Sequence, residues 1–102
     1  MTRVERIAAA RAAALDALTG AAGGDSLCTL ARERLPAAKY HEGAVAALGE
    51  ALRAEQSGAP APRAETWGAV FATRAESDIG WRAYLVGGRD ALAALAAEPV
   101  AR

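Results

Sequence analysis

Disulfides cannot hold this chain together, because it carries one cysteine, Cys28. A framework of cross-links and a cysteine-rich zinc site are both excluded within a single copy. Histidine is as scarce. His41 stands alone, and no acidic pair flanks it at ligand spacing on one helix face, so neither a metal site nor a cofactor is expected. Net charge is missing too. Twelve basic and twelve acidic side chains cancel, which leaves no overall positive field to recruit nucleic acid. Apolar runs are short. Arg3, Glu5, Arg6 and Arg11 break up the first of them, against a signal peptide, and none approaches the ~20 residues of a membrane span. A soluble, cytoplasmic protein with no membrane partner is expected.

Large nonpolar side chains are also few. Hydrophobic residues make up 53% of the chain, but much of that is alanine, which buries little surface. The bulky set includes Val4, Ile7, Leu15, Leu18, Leu35, Leu48, Val70, Phe71, Ile79, Leu85, Leu92 and Leu95, with Trp67 and Trp81. At roughly 1.5–3 kcal/mol for each large side chain fully buried, such a core only modestly exceeds the entropy of ordering the chain. A second copy or an obligate partner would supply the missing burial, so a dimer or complex is expected.

What is present is helical periodicity. Neither strand-like alternation nor an internal repeat occurs. Thr2 and Glu5 have capping-box spacing, and Val4, Ile7, Ala8, Leu15 and Leu18 recur at helical intervals, with Arg11 at the stripe's edge. Gly20 is expected to end this helix, at about 3–19. Asp25 or Ser26 can cap a short second helix, about 26–35, carrying Leu27, Leu30 and Leu35. Pro36, harmless only in a first turn, opens a third at about 37–56. There Tyr40, Ala44, Ala47, Leu48, Ala51 and Leu52 share a face, while Gly43, Ala46 and Ala47 allow another backbone to approach closely. Ser57 to Arg63 reads as a stiff linker. A segment at about 65–86 bears Trp67, Val70, Phe71, Trp81 and Leu85. Gly87-Gly88 is expected to break or kink it, and Asp90 to cap a last helix at about 90–97. The expectation is one all-α domain, 1–102: a small four- or five-helix bundle with antiparallel neighbours.

For chemistry the sequence offers little. Lys39, Tyr40, His41 and Glu42 are consecutive, so on a helix they splay apart and cannot share one ligand. Cys28, Ser26 and Ser57 have no evident base, and no glycine-rich phosphate loop follows a strand. Two arrangements point toward nucleic acid. The stretch SLCTLARERLPAAKYHEGAVAALGEAL, from Ser26, has the outline of a helix-turn-helix, with Arg3, Arg6, Arg32, Arg34 and Lys39 as a basic patch. Leu35, however, stands where a small residue is usual, and His41 where an apolar one is. Arg34 and His41, six residues between them, resemble the Arg-x4–6-His pattern of HEPN-type ribonucleases. That resemblance implies RNA cleavage, with His41 at the scissile phosphate and Arg34 stabilising charge. It covers only those two positions, and Pro36 lies between them.

The strongest constellation is apolar. Trp67, Phe71, Arg74, Trp81 and Tyr84, with Tyr40, are the residues expected to anchor a partner, since an Arg between two Trp is typical of interface hot spots. Arg74 and Asp78 either line that groove or stand in solvent at a turn near Ser77-Asp78. The function expected is a non-enzymatic interaction module, accessory or regulatory, whose partner is a second copy or a larger protein.

Overall fold

The computed structural model describes residues 2–23 and 32–97. The first helix, α1, spans Arg3–Ala22. Its start follows the capping box: Thr2 Oγ1 accepts the Glu5 N–H at 3.1 Å, and Glu5 Oε1 accepts the Thr2 N–H at 3.1 Å. These bonds favour the ionised carboxylate and hold the Glu5 pKa below its usual value. The helix does not stop at Gly20. It runs on to a left-handed cap at Gly23, φ 61°, whose N–H donates to the Thr19 carbonyl. Only Gly23 must adopt that conformation, and Gly20 is simply a helical residue facing open space.

Most of the expected helix at 26–35 lies outside the described residues. From Arg32 to Arg34 the chain forms a 3-10 turn that leads into α2, Leu35–Ser57, with Pro36 in the first turn. Gly58, φ 73°, caps its far end. The segment expected at 65–86 is not one helix. Gly68 turns the chain at φ 76°, a 3-10 turn covers Ala69–Phe71, and α3 covers Ala72–Ser77. Asp78 is extended, and its Oδ1 accepts the N–H groups of Gly80 at 2.8 Å and Trp81 at 3.1 Å. A new helix, α4, then runs over Ile79–Ala97 without a break. Gly87-Gly88 and Asp90 therefore do not divide it, and Asp78 is the residue that starts it.

The architecture is an all-α bundle, with no strand among the described residues. Helix α2 is central and packs on both α1 and α4. It runs antiparallel to α1: Arg3 Nε meets Glu55 Oε2 at 3.4 Å at one end, and Arg34 Nη2 donates to the Ala21 carbonyl at 3.4 Å at the other. Helix α4 lies along α2 in the same direction. Its Gly80 sits by Lys39, Tyr84 by Gly43, and Leu92 and Leu95 share a cavity wall with Ala51 and Glu55. The long connection through α3 carries the chain back to make this possible.

Glycine and alanine set the spacing of that contact. A Cβ on Gly43 would collide with the Tyr84 carbonyl, and one on Gly87 with the Tyr40 carbonyl. The two backbones thus meet face to face, and the expected close approach at Gly43 is realised by α4. The buried side chains of α2 are nearly all alanine, with Leu48 the one large exception. Ile7, Leu48, Trp67, Leu85, Leu92 and Leu95 supply the bulk of the core. Val70 and Ile79, read from the sequence as core, are 84% and 65% exposed. The breaks at Gly68 and Asp78 turn both outward.

Candidate interaction surface

Five of the six expected anchors converge. Phe71, from the 3-10 turn, stacks on Trp81 of α4 with ring centroids 4.9 Å apart and planes 20° apart. Tyr84, one turn further along α4, meets Trp81 at 5.4 Å, Phe71 edge-on at 5.9 Å and Trp67 at 5.6 Å. Helical spacing brings Trp81 and Tyr84 to one flank of α4, and the Gly68 turn folds Trp67 and Phe71 onto them. Offset and edge-to-face arrangements of this kind add ~0.5–1.5 kcal/mol per pair beyond the buried area. Two cations sit over the Trp81 ring. The Arg74 guanidinium is 5.4 Å and Lys39 Nζ 5.6 Å from the centre of Trp81.

The members differ in depth. Trp67 is a core residue, 7% exposed, and its Nε1–H donates to Glu50 Oε2 at 2.9 Å. Phe71, Trp81 and Tyr84 are half-buried and Arg74 is exposed. Arg74 and Asp78 stand apart in solvent, as the turn at Ser77-Asp78 requires: Asp78 caps α4 while Arg74 lies on Trp81. Tyr40 is not part of the cluster. Its hydroxyl donates to Asp90 Oδ2 at 2.7 Å, tying α2 to α4, and its ring meets His41 edge-on at 5.4 Å. Val70 borders the ridge, and the sequence hid it because bulky aliphatic residues read as core. A cavity of about 510 Å³ opens beside it, between Ala46, Arg53 and the rings of Trp67, Phe71 and Tyr84.

Both tyrosines are held above the usual phenol pKa. For Tyr40 the hydrogen bond to Asp90 is the main cause, then burial and the Asp90 charge. For Tyr84 burial comes first, then the charges of Glu42 and Glu50. A raised folded-state pKa gives stability that is complete below the unfolded value of about 10 and is lost as pH climbs through the folded value. Unfolding free energy should therefore fall above about pH 10. The Tyr40→Phe variant should show a shallower fall in urea denaturation across that range. An unchanged slope would show that the Asp90 bond contributes nothing there.

The residues expected for nucleic-acid chemistry are placed differently. Arg34 reaches the last turn of α1, where its guanidinium meets the Ala21 carbonyl, and His41 packs against Tyr40. Cys28 and the first part of the helix-turn-helix lie outside the described residues. No group of three His, Cys, Asp or Glu side chains fit for a metal occurs among the described residues. No described helix is long and apolar enough to cross a membrane. The chain matches no family model, no curated protein and no solved structure.

Proposed function

We propose that this protein is a small, non-enzymatic interaction module, accessory or regulatory to a partner that it grips through the ridge of Phe71, Trp81 and Tyr84. The partner is a larger protein or a second copy. One observation carries the reading. A stacked aromatic pair stands half out of the surface, capped by Arg74 and Lys39 and bordered by the exposed Val70. Aromatic and Arg anchors beside apolar surface are what interface hot spots are made of. The ribonuclease alternative draws less support, since Arg34 is already engaged at the end of α1.

Trp81→Ala should leave the bundle folded and weaken partner binding at least ~10-fold, the loss usual for a hot-spot Trp. Tagged protein and the variant, immobilised at equal density, would be compared for stoichiometric co-purification from native lysate, with far-UV circular dichroism confirming the fold. Equal recovery of every co-purifying protein by both would end the reading.

A further inference from the structure

Among the described residues α4 packs on α2 and α3, and one side of it is left exposed. At about 100° per residue, Ile79, Ala83, Val86 and Ala93 fall together on that side, opposite the buried Leu85, Leu92 and Leu95. Ile79 is 65% and Val86 44% exposed, and Ala93 is exposed as well. Two charged residues share the stripe, Arg82 and Asp90, four positions before and four after Val86. The aromatic ridge lies on a different flank of the same helix, so the two surfaces do not overlap.

We propose that this stripe pairs with itself, joining two copies of the chain with their α4 helices antiparallel about a two-fold axis at Val86. The charges select that occupant. An isologous contact brings residues equally spaced on either side of the axis together. Each Arg82 then faces the partner's Asp90, Val86 meets the partner's Val86, and Ile79 meets the partner's Ala93. Both charged groups have an atom to spare. Arg82 uses Nε on the Ala75 carbonyl and Nη2 on the Glu76 carbonyl, which leaves Nη1. Asp90 uses Oδ2 on Tyr40, which leaves Oδ1. A parallel pairing would set Arg82 on Arg82 and Asp90 on Asp90. Small side chains at Ala83 and Ala93 let the helices approach closely, and the paired stripe supplies burial that this alanine-laden chain lacks. The inference goes beyond the interaction-module reading, since it assigns a second copy to a surface outside the aromatic ridge and does not depend on what the ridge binds.

Sedimentation equilibrium of the full chain from low micromolar to millimolar concentration tests it, with circular dichroism verifying each variant's fold. The chain should form a dimer. Val86→Glu, placed twice at the axis, should weaken it about 100-fold or more. Arg82→Glu alone should weaken it about 10-fold by setting like charges together, and Arg82→Glu with Asp90→Arg should recover most of that loss. Trp81→Ala should leave the dimer intact. A monomer at millimolar concentration, a dimer indifferent to Val86→Glu, or a double variant no tighter than the single one would each overturn the proposal. A dimer broken by Trp81→Ala but not by Val86→Glu would overturn it while upholding the ridge as the docking surface.

Discussion

Gly43→Ala is expected to destabilise the bundle by about 2 kcal/mol, although the new residue is the better helix former. Glycine in a helix interior is worse than alanine by ~1 kcal/mol, so intrinsic propensity alone predicts a gain. Packing reverses the sign. The added methyl group would meet the carbonyl of Tyr84, a backbone atom fixed within α4, and relief requires moving one whole helix against the other. Overpacking typically costs 1–3 kcal/mol, and rigid backbone on both sides puts this position at or beyond the upper end. Gly87→Ala should behave alike, because it strikes the Tyr40 carbonyl from the other direction. Gly20→Ala is the control: no atom lies within 4 Å of the new Cβ, and a gain of about 0.5–1 kcal/mol is expected. At about 4–8 °C per kcal/mol for a domain of this size, thermal melts should show Gly43→Ala roughly 10 °C lower and Gly20→Ala a few degrees higher. If Gly43→Ala melted above the parent, α2 and α4 could not be in backbone contact.

The same glycines show what the sequence discloses and what it withholds. Periodicity finds α1 and α2 because their signals are local: a capping box at Thr2, a proline in the first turn of α2, and apolar residues every third or fourth position. The close approach at Gly43 is legible as well, as a run of small residues on one face. Gly87-Gly88 looks from sequence like a helix breaker. In the fold it is where α4 receives the Tyr40 carbonyl and the Trp67 ring, and tertiary contact outweighs a local cost of about 1 kcal/mol per glycine. The break falls at Asp78 instead, where an aspartate two residues before Gly80 caps the new helix with its side chain. That signal was present, but in a segment whose aromatic spacing fits an unbroken helix equally well. The direction of α4 along α2 depends on how the connection through α3 folds back, which no local pattern encodes. The residues expected as anchors, Trp67, Phe71, Arg74, Trp81 and Tyr84, do lie together in the fold, but the sequence assigns them no depth, and depth decides which of them is open to solvent.

Trp67→Ala should be among the most damaging single substitutions in the described chain, costing about 3–5 kcal/mol, the range for emptying a large aromatic site. The indole is 7% exposed and lies flat over Gly88, so close that a Cβ there would enter the ring. Its Nε1–H reaches Glu50 of α2 at 2.9 Å, so the side chain pins the connecting segment to both α2 and α4, while the backbone carbonyl of the same residue accepts Arg89 Nε–H at 3.0 Å. Trp67→Phe separates these roles. It keeps most of the apolar volume and removes the indole donor to Glu50, and should cost about 1–2 kcal/mol. Gly88→Ala should be strongly destabilising in the parent but nearly neutral beside Trp67→Ala, because the ring that the methyl group would strike has gone. Urea denaturation of the two single variants and the double variant measures that coupling directly. Trp81→Ala, half-buried on the ridge, should cost far less in the same assay. The two tryptophans then divide between them what the sequence left undivided: one closes the core, and the other is available to a partner. Equal losses at both positions would place Trp81 in the core as well and remove the ridge as a docking surface.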